Sequence, residues 1–225
     1  MIYICTHTDF ALPDGIGEGY KILSTRPLAN EYTIPVEVVT KNQITPLQYA
    51  YAEGYHIFHM WKHAKDEWIG LNQYRKYFFD VPYGKTILPR PSKYNMHKQY
   101  AEAHGMQDLL DCESIINDCY PEYRCDYDAL HLYRCNMFVM RRADFEQYCK
   151  FMFDVLGKFN EMHGIRTQLD VMRHIRENAK QYTYKHPLEY QSRLQGYLFE
   201  RVGTIFFNGY FGITEKKIHF VSEKI

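Results

Sequence analysis

Hydrophobic and polar positions along the chain alternate between two periods, one fitting strands and one fitting helices. Met1 to Cys5 is a short apolar run leading into Thr6-His7-Thr8-Asp9, a buried strand feeding a polar loop. Asp14 to Gly19, DGIGEG, is a flexible Gly-rich loop with no helix start behind it. Residues 21 to 44 are mixed, with one candidate strand at Pro35 to Val39. Thr45-Pro46 is a helix start, Thr as N-cap and Pro at the first helical position. Leu47, Ala50, Tyr51, Gly54, Phe58 and Trp61 then mark one face of a helix ending near Lys65.

Trp68 to Leu71 is a second apolar strand, and the character changes abruptly at Asn72-Gln73-Tyr74-Arg75-Lys76-Tyr77. Open α/β sheets build ligand sites from such groups at the carboxyl ends of strands, although an ordinary polar loop after a core strand has the same composition. Residues 80 to 100 form a long loop rich in turn signals, with a short strand at Thr86 to Leu88. Tyr100 to Asp118 has helical patterning, and Asn136 to Met140 is a strand. Asp144 is expected to cap a helix whose apolar face runs through Phe145, Tyr148, Met152, Leu156 and Phe159. Arg166 to Lys180 predicts an exposed amphipathic helix, and a last long helix starts near Pro187. In it Arg193, Gly196-Tyr197 and Glu200 share one side, where a surface ion pair is the simplest role. An interior Gly costs about 1 kcal/mol relative to Ala, so Gly196 implies close packing or binding. Lys217 to Val221 is a candidate edge strand.

Composition narrows this picture. The 225 residues are 46% hydrophobic and 24% charged, enough for one sizeable core. Lys+Arg and Asp+Glu balance at 27 each, which removes any global attraction to nucleic acid. Twenty-one tyrosines suit a sugar or nucleotide site, or a Tyr-rich core. The six cysteines form no CxxC, and MIYICTH reads as a strand with no signal-like apolar run. Free thiols and a cytoplasmic location follow as expectations. No stretch approaches the roughly 18 apolar residues of a membrane span, so any membrane contact is expected to be peripheral or through a partner.

The chemistry-bearing candidates are few. No GxGxxG or P-loop is present. His56, His59 and His63 lie roughly along one helix stripe, but hydrogen-bonded histidines are favoured over a metal centre. Asp126-Tyr127-Asp128 resembles a DxD that would hold Mn²⁺ or Mg²⁺, but no apolar strand precedes it and a surface loop is favoured.

The order of IYICTH, Asn42 followed by YAEGYHIFHMWK, DEWIGLNQYRKYF, QYAEAHGMQDL, IINDCYPEY, NMFVMRRADFEQYCKFMFDVL and SRLQGYLFERV resembles a bacterial family from capsular and exopolysaccharide biosynthesis clusters. Long described as a domain of unknown function, that family is thought to contain glycosyltransferases of the GT-A type. Departures are Gln73 where the family has His before Tyr-Arg, Lys76 for its second Arg, and His59 and His63 where it has Trp and Asn. Gln for His keeps hydrogen bonding but removes a titratable group.

The resemblance implies a GT-A-like, Rossmann-like α/β fold: a mixed sheet flanked by helices with a helical C-terminal part. It implies a single domain over 1–225, with a nucleotide-binding half at 1–80 and an acceptor half at 81–225. The implied reaction moves a sugar from a nucleotide-diphosphate donor, a UDP-sugar first, to a hydroxyl on a glycan or lipid-linked glycan. The expected setting is surface polysaccharide synthesis at the inner face of the membrane. Arg75, with Lys76, is expected to neutralise the diphosphate in place of a metal, so no cofactor is required. Glu200 is the first choice as acceptor base, then Asp108 and Glu53. Gln73 joins Glu200 and Arg75 as catalytic candidates. Thr6, His7, Glu53, Tyr74 and Lys76 are assigned to the donor, and Asn136, Arg193 and Asp108 to the sugar acceptor. Transfer to a modified nucleic acid or a protein, a non-catalytic nucleotide-sugar-binding module, and a metal hydrolase built on the His stripe stand as alternatives.

Overall fold

A computed structural model describes residues 1–79, 81, 84–182, 186–212 and 218–221; side chains in 218–221 are outside the description. Among these described residues seven strands form one sheet: β1 (Ile2–Thr6), β2 (Tyr20–Ser24), β3 (Val36–Val38), β4 (Trp68–Gln73), β5 (Thr86–Pro89), β6 (Phe138–Arg141) and β7 (Ile218–Val221), in the order β3-β2-β1-β4-β6-β5-β7. Strands β3, β2, β1 and β4 are parallel, β6 is antiparallel to both β4 and β5, and β7 is parallel to β5. The helices are α1 (Gln48–Tyr51), α2 (Glu53–His63), α3 (Met96–Ala103), α4 (Met106–Cys119), α5 (Arg142–Met162), α6 (Gln168–Glu177), α7 (Leu188–Gln191) and α8 (Leu194–Phe211). The expected mixed α/β sheet with a helical C-terminal part is what the chain forms.

Central strands β1 and β4 carry continuous apolar runs because both faces are covered, and Ile4, Ile69 and Leu71 are fully buried. Gly70 sits where β4 meets β6: a Cβ there would lie 2.9 Å from Val139 Cγ2 and 3.0 Å from Ile2 Cγ1. Helices α5 and α8 pack through an aromatic cluster in which Tyr148 stacks on Phe207 at 5.3 Å and meets Phe206 edge-on at 5.3 Å. Tyr51, Tyr55, Tyr100, Tyr133 and Tyr148 are all buried, so much of the tyrosine content is core.

Several boundaries differ from the sequence pattern. The helix expected from Thr45 begins as a 3₁₀ turn and breaks at Ala52, whose φ/ψ of 49°/−121° separates α1 from α2. Thr45 Oγ1 accepts from the backbone N–H of Asn42 and caps no helix. The helix expected from Tyr100 is two helices, because His104 is extended and Gly105 caps α4. Tyr20–Ser24 is a strand within a stretch that showed no clear period. Helix α5 starts at Arg142, so Asp144 lies in its first turn and accepts from Tyr210 Oη at 3.0 Å. Helix α6 has a capping box that the pattern did not reveal, with Thr167 and Asp170 satisfying each other's backbone N–H. The last helix is interrupted at Ser192-Arg193 and begins properly at Leu194. Pro82 of the long loop and Lys217 of the predicted edge strand lie outside the described residues.

Candidate active site

The sheet topology brings four chain segments to one edge. β1, β2 and β4 are parallel, so Thr6, Ser24 and Gln73 all lie at their carboxyl ends. Because β6 runs the other way, its entry segment, Cys135-Asn136, reaches that same edge.

Local chemistry shapes each segment. Thr6 Oγ1 donates to Thr8 O at 2.6 Å and accepts from Thr8 N at 3.1 Å, a hydroxyl turn around His7. Ser24 does the same around Thr25, donating to Arg26 O at 2.7 Å. After β4, Gln73 and Lys76 exchange two backbone hydrogen bonds of 3.1 and 3.0 Å, which puts Tyr74 and Arg75 at the tip of a two-residue turn.

A cavity of about 530 Å³ opens beside these ends, lined among others by Thr6, His7, Thr25, Tyr49, Glu53, Tyr74, Gln168 and Arg193. His7 meets Tyr74 edge-on at 5.4 Å, and the exposed Arg75 guanidinium lies 4.8 Å from the Tyr74 ring centre. Burial holds the His7 ring below the ordinary histidine value, and the nearby positive charges of Arg193, Arg75 and Arg26 push it the same way. Arg193 thus lines the cavity and Arg75 lies against Tyr74 in its wall, while Arg26, nearby, stands 4.0 Å from the Asp9 carboxylate. No carboxylate pairs with Arg75 among the described residues.

Glu53 is the carboxylate that lines the cavity. Gln73 Nε2 donates to its Oε1 at 3.0 Å and also to Cys135 O at 3.1 Å, while an Arg193 nitrogen stands 4.0 Å from Oε2. Burial raises its carboxyl above the usual range despite Arg193, with Glu200 adding in the same direction. Glu53 reaches this place because the chain breaks at Ala52. Gly196 allows the break to sit against α8: a Cβ on it would lie 2.9 Å from Ala52 Cβ and 3.3 Å from Tyr51 O.

The other carboxylates are engaged differently. Glu200 Oε1 accepts the Cys135 N–H at 2.6 Å and its Oε2 accepts from Arg201 at 2.9 Å. It anchors a segment in which Cys135 and Asn136 both take positive φ, 72° and 52°. Asp108 is buried among the helices, accepting from Tyr182 Oη and from His174 Nε2 at 2.8 Å, and does not line the cavity. Asn136 is buried, with its Nδ2 unpartnered among the described residues, and Lys76 Nζ donates to Cys135 Sγ at 3.1 Å. Of the sequence candidates, the cavity therefore gathers Thr6, His7, Glu53, Tyr74 and Arg193 in its walls, Arg75 at its edge and Gln73 behind Glu53.

Thr25, Arg26, Tyr49 and Gln168 had not been singled out from sequence. Thr25 and Arg26 follow the unrecognised β2, and Gln168 opens a helix that reads as solvent-facing. Of the His stripe, His56 Nε2 pairs with Thr6 O at 3.1 Å and His59 Nε2 with Glu37 Oε1 at 2.6 Å, with the His63 ring tilted 38° against His59 at 4.4 Å. Asp128 pairs with His97 Nδ1. Among the described residues no group of three or more His, Cys, Asp or Glu converges as a metal would need.

Fold and site together define an α/β protein with a polar, cation-edged cavity at the carboxyl edge of its sheet. Residues 81–210 match the family described as Domain of unknown function (DUF4422), and the chain belongs to that family. Its fold is also that of the apo structure of WbbM, a bifunctional glycosyltransferase, with a TM-score of 0.67 over 99% of this chain at 17% identity. This chain spans 44% of the WbbM chain. No curated protein matches the sequence. Among the described residues no helix is long and apolar enough to cross a membrane.

Proposed function

We propose that the chain is a glycosyltransferase of the GT-A type that moves a sugar from a nucleotide-diphosphate donor, a UDP-sugar first, to a hydroxyl of a glycan or lipid-linked glycan. The observation that carries this is the cavity itself: one carboxylate, Glu53, faces a space lined by Arg193 and bordered by Arg75 on the Tyr74 ring. The fold shared with WbbM supports the same reaction class.

The donor's diphosphate lies toward His7 and the arginines, whose planar forks match phosphate oxygens. His7, held neutral, offers a hydrogen bond without adding charge. In the transfer, the acceptor oxygen bonds to the anomeric carbon, and the anomeric C–O bond to phosphate breaks. The diphosphate leaves with the electron pair, and Glu53 takes the acceptor's proton. Fixed cations stabilise the charge growing on the leaving group, the largest electrostatic demand of the step. Glu53 suits the base role better than Glu200, whose two oxygens are both occupied by structural donors. Its raised pKa brings it nearer to neutrality, where a general base works best.

Bacterial surface polysaccharide synthesis on the inner face of the membrane is the setting the family resemblance supports. The deciding experiment is a thermal-shift and turnover screen against UDP-, GDP- and CMP-sugars, with and without Mn²⁺. Stabilisation by one nucleotide sugar and release of its nucleoside diphosphate are expected. Binding without turnover would make the chain a binding module, and no binding at all would sink the proposal. Loss of turnover in EDTA and return with Mn²⁺ would replace the metal-free version.

A further inference from the structure

The cavity has two chemically different ends. Toward β1 and β4 it is cationic. Toward α1 and α6 it is walled by Tyr49, Gln48 and Gln168, aromatic and amide groups without charge. We propose that this second end is an acceptor subsite that takes one neutral, hydroxyl-rich pyranose ring, stacked on Tyr49 and donating a hydroxyl to Gln168 Oε1. The assignment deepens the transferase proposed above and rests on it for the word acceptor.

Two independent observations converge. Tyr49 lines the cavity while remaining 48% exposed, one of the large aromatics the fold leaves uncovered. An aromatic face presented in a cavity matches the apolar C–H face of a sugar ring, and its rigid side chain loses little entropy on binding. Separately, Gln168 Oε1 is buried and has no hydrogen-bond partner among the described residues. Its orientation is fixed, because Nε2 donates to Ser192 O at 2.9 Å, and that carbonyl can only accept. A buried acceptor left unmet costs stability unless a ligand satisfies it. A sugar hydroxyl is a donor of the right kind, whereas a phosphate oxygen facing Oε1 would be repelled. Glu53 lines the same cavity, within which a hydroxyl of a ring held on Tyr49 would meet its carboxylate.

The test is ligand-observed saturation-transfer NMR on the full chain with methyl β-glucoside, methyl β-galactoside and methyl α-mannoside. UDP and GDP binding is measured on the same samples by calorimetry. The wild type is expected to transfer saturation to ring protons of at least one glycoside. Tyr49→Ala loses that signal, Tyr49→Phe keeps it, and Gln168→Leu weakens it about two- to tenfold. Nucleotide binding stays unchanged in Tyr49→Ala, with folding checked by circular dichroism. The subsite is overturned if no glycoside responds in the wild type, if Tyr49→Ala keeps full signal, or if folded Tyr49→Ala loses nucleotide binding as well, which would place the base there. Glycosides that need Tyr49 in a chain that neither binds nor turns over nucleotide sugars would leave this subsite standing while the transferase falls. Turnover with glycosides indifferent to Tyr49 would do the reverse.

Discussion

Gln73 Nε2 bridges Glu53 Oε1 and the backbone oxygen of Cys135, at 3.0 and 3.1 Å. One amide thus ties the end of β4 to the start of α2 and to the approach to β6. It also fixes the orientation of the carboxylate in the cavity. A neutral donor holds Glu53 without the counter-charge a protonated histidine would bring, so the carboxyl stays raised.

Glu53→Gln is expected to abolish transfer while leaving nucleotide binding intact, read as kcat against KM. In the wild type, activity rises with pH through an inflection above the ordinary Glu value of about 4.3. The stability consequence has the opposite sign. Glu53 holds its proton more tightly folded than unfolded, so the fold loses stability as pH rises from the ordinary to the raised value. Glu53→Gln removes that loss, and its Tm should exceed the wild type's at neutral pH but match it near pH ~4.

Gln73→Leu removes the donor to Glu53 and leaves the carboxylate less stabilised when charged. The acidic limb of the pH–rate profile should move to higher pH, with nucleotide affinity little changed. An unmoved limb would detach Gln73 from Glu53's ionisation.

Arg75→Ala should weaken nucleoside diphosphate binding about tenfold, the scale of one charge-assisted hydrogen bond. The affinity should also depend less steeply on salt, since one exposed cation has gone. Calorimetry with UDP and GDP at two ionic strengths checks both. Arg75→Lys should recover only part of the loss.

Gly196→Ala would gain about 1 kcal/mol of helix propensity. Against this, its new methyl lies 2.9 Å from Ala52 Cβ and 3.3 Å from Tyr51 O, where backbone must shift. A net destabilisation of about 1–2 kcal/mol is expected by urea unfolding, with reduced activity because α8 presses on the turn that places Glu53.

His97 lies between Glu113 and Asp128. Burial opposes its charge, but the two carboxylates outweigh burial and raise it above the ordinary histidine value. Its contribution is full below about pH 6.5 and is lost as pH rises through the raised value. His97→Gln should therefore lower Tm more in acid than at about pH 9, read by thermal unfolding across that range.

Much of this protein was determined by the sequence alone. The apolar runs at β1, β4 and β6 and the helical face through Phe145, Tyr148 and Met152 depend on near neighbours and on burial. A period of two or 3.6 records both. The polar change after Leu71 likewise marked the edge where the cavity lies. Tertiary structure decided the rest. Ala52 carries no local signal for a positive φ; the break is accommodated where Gly196 of α8 leaves room for it. Glu53 meets Gln73 across 20 residues, and Glu200 meets Cys135 across 65. Such pairings depend on which strands adjoin and which way β6 runs, and no local period encodes that. Glu200 therefore ranked ahead of Glu53 in the sequence, and only the folded chain shows that both Glu200 oxygens are already taken by Cys135 and Arg201.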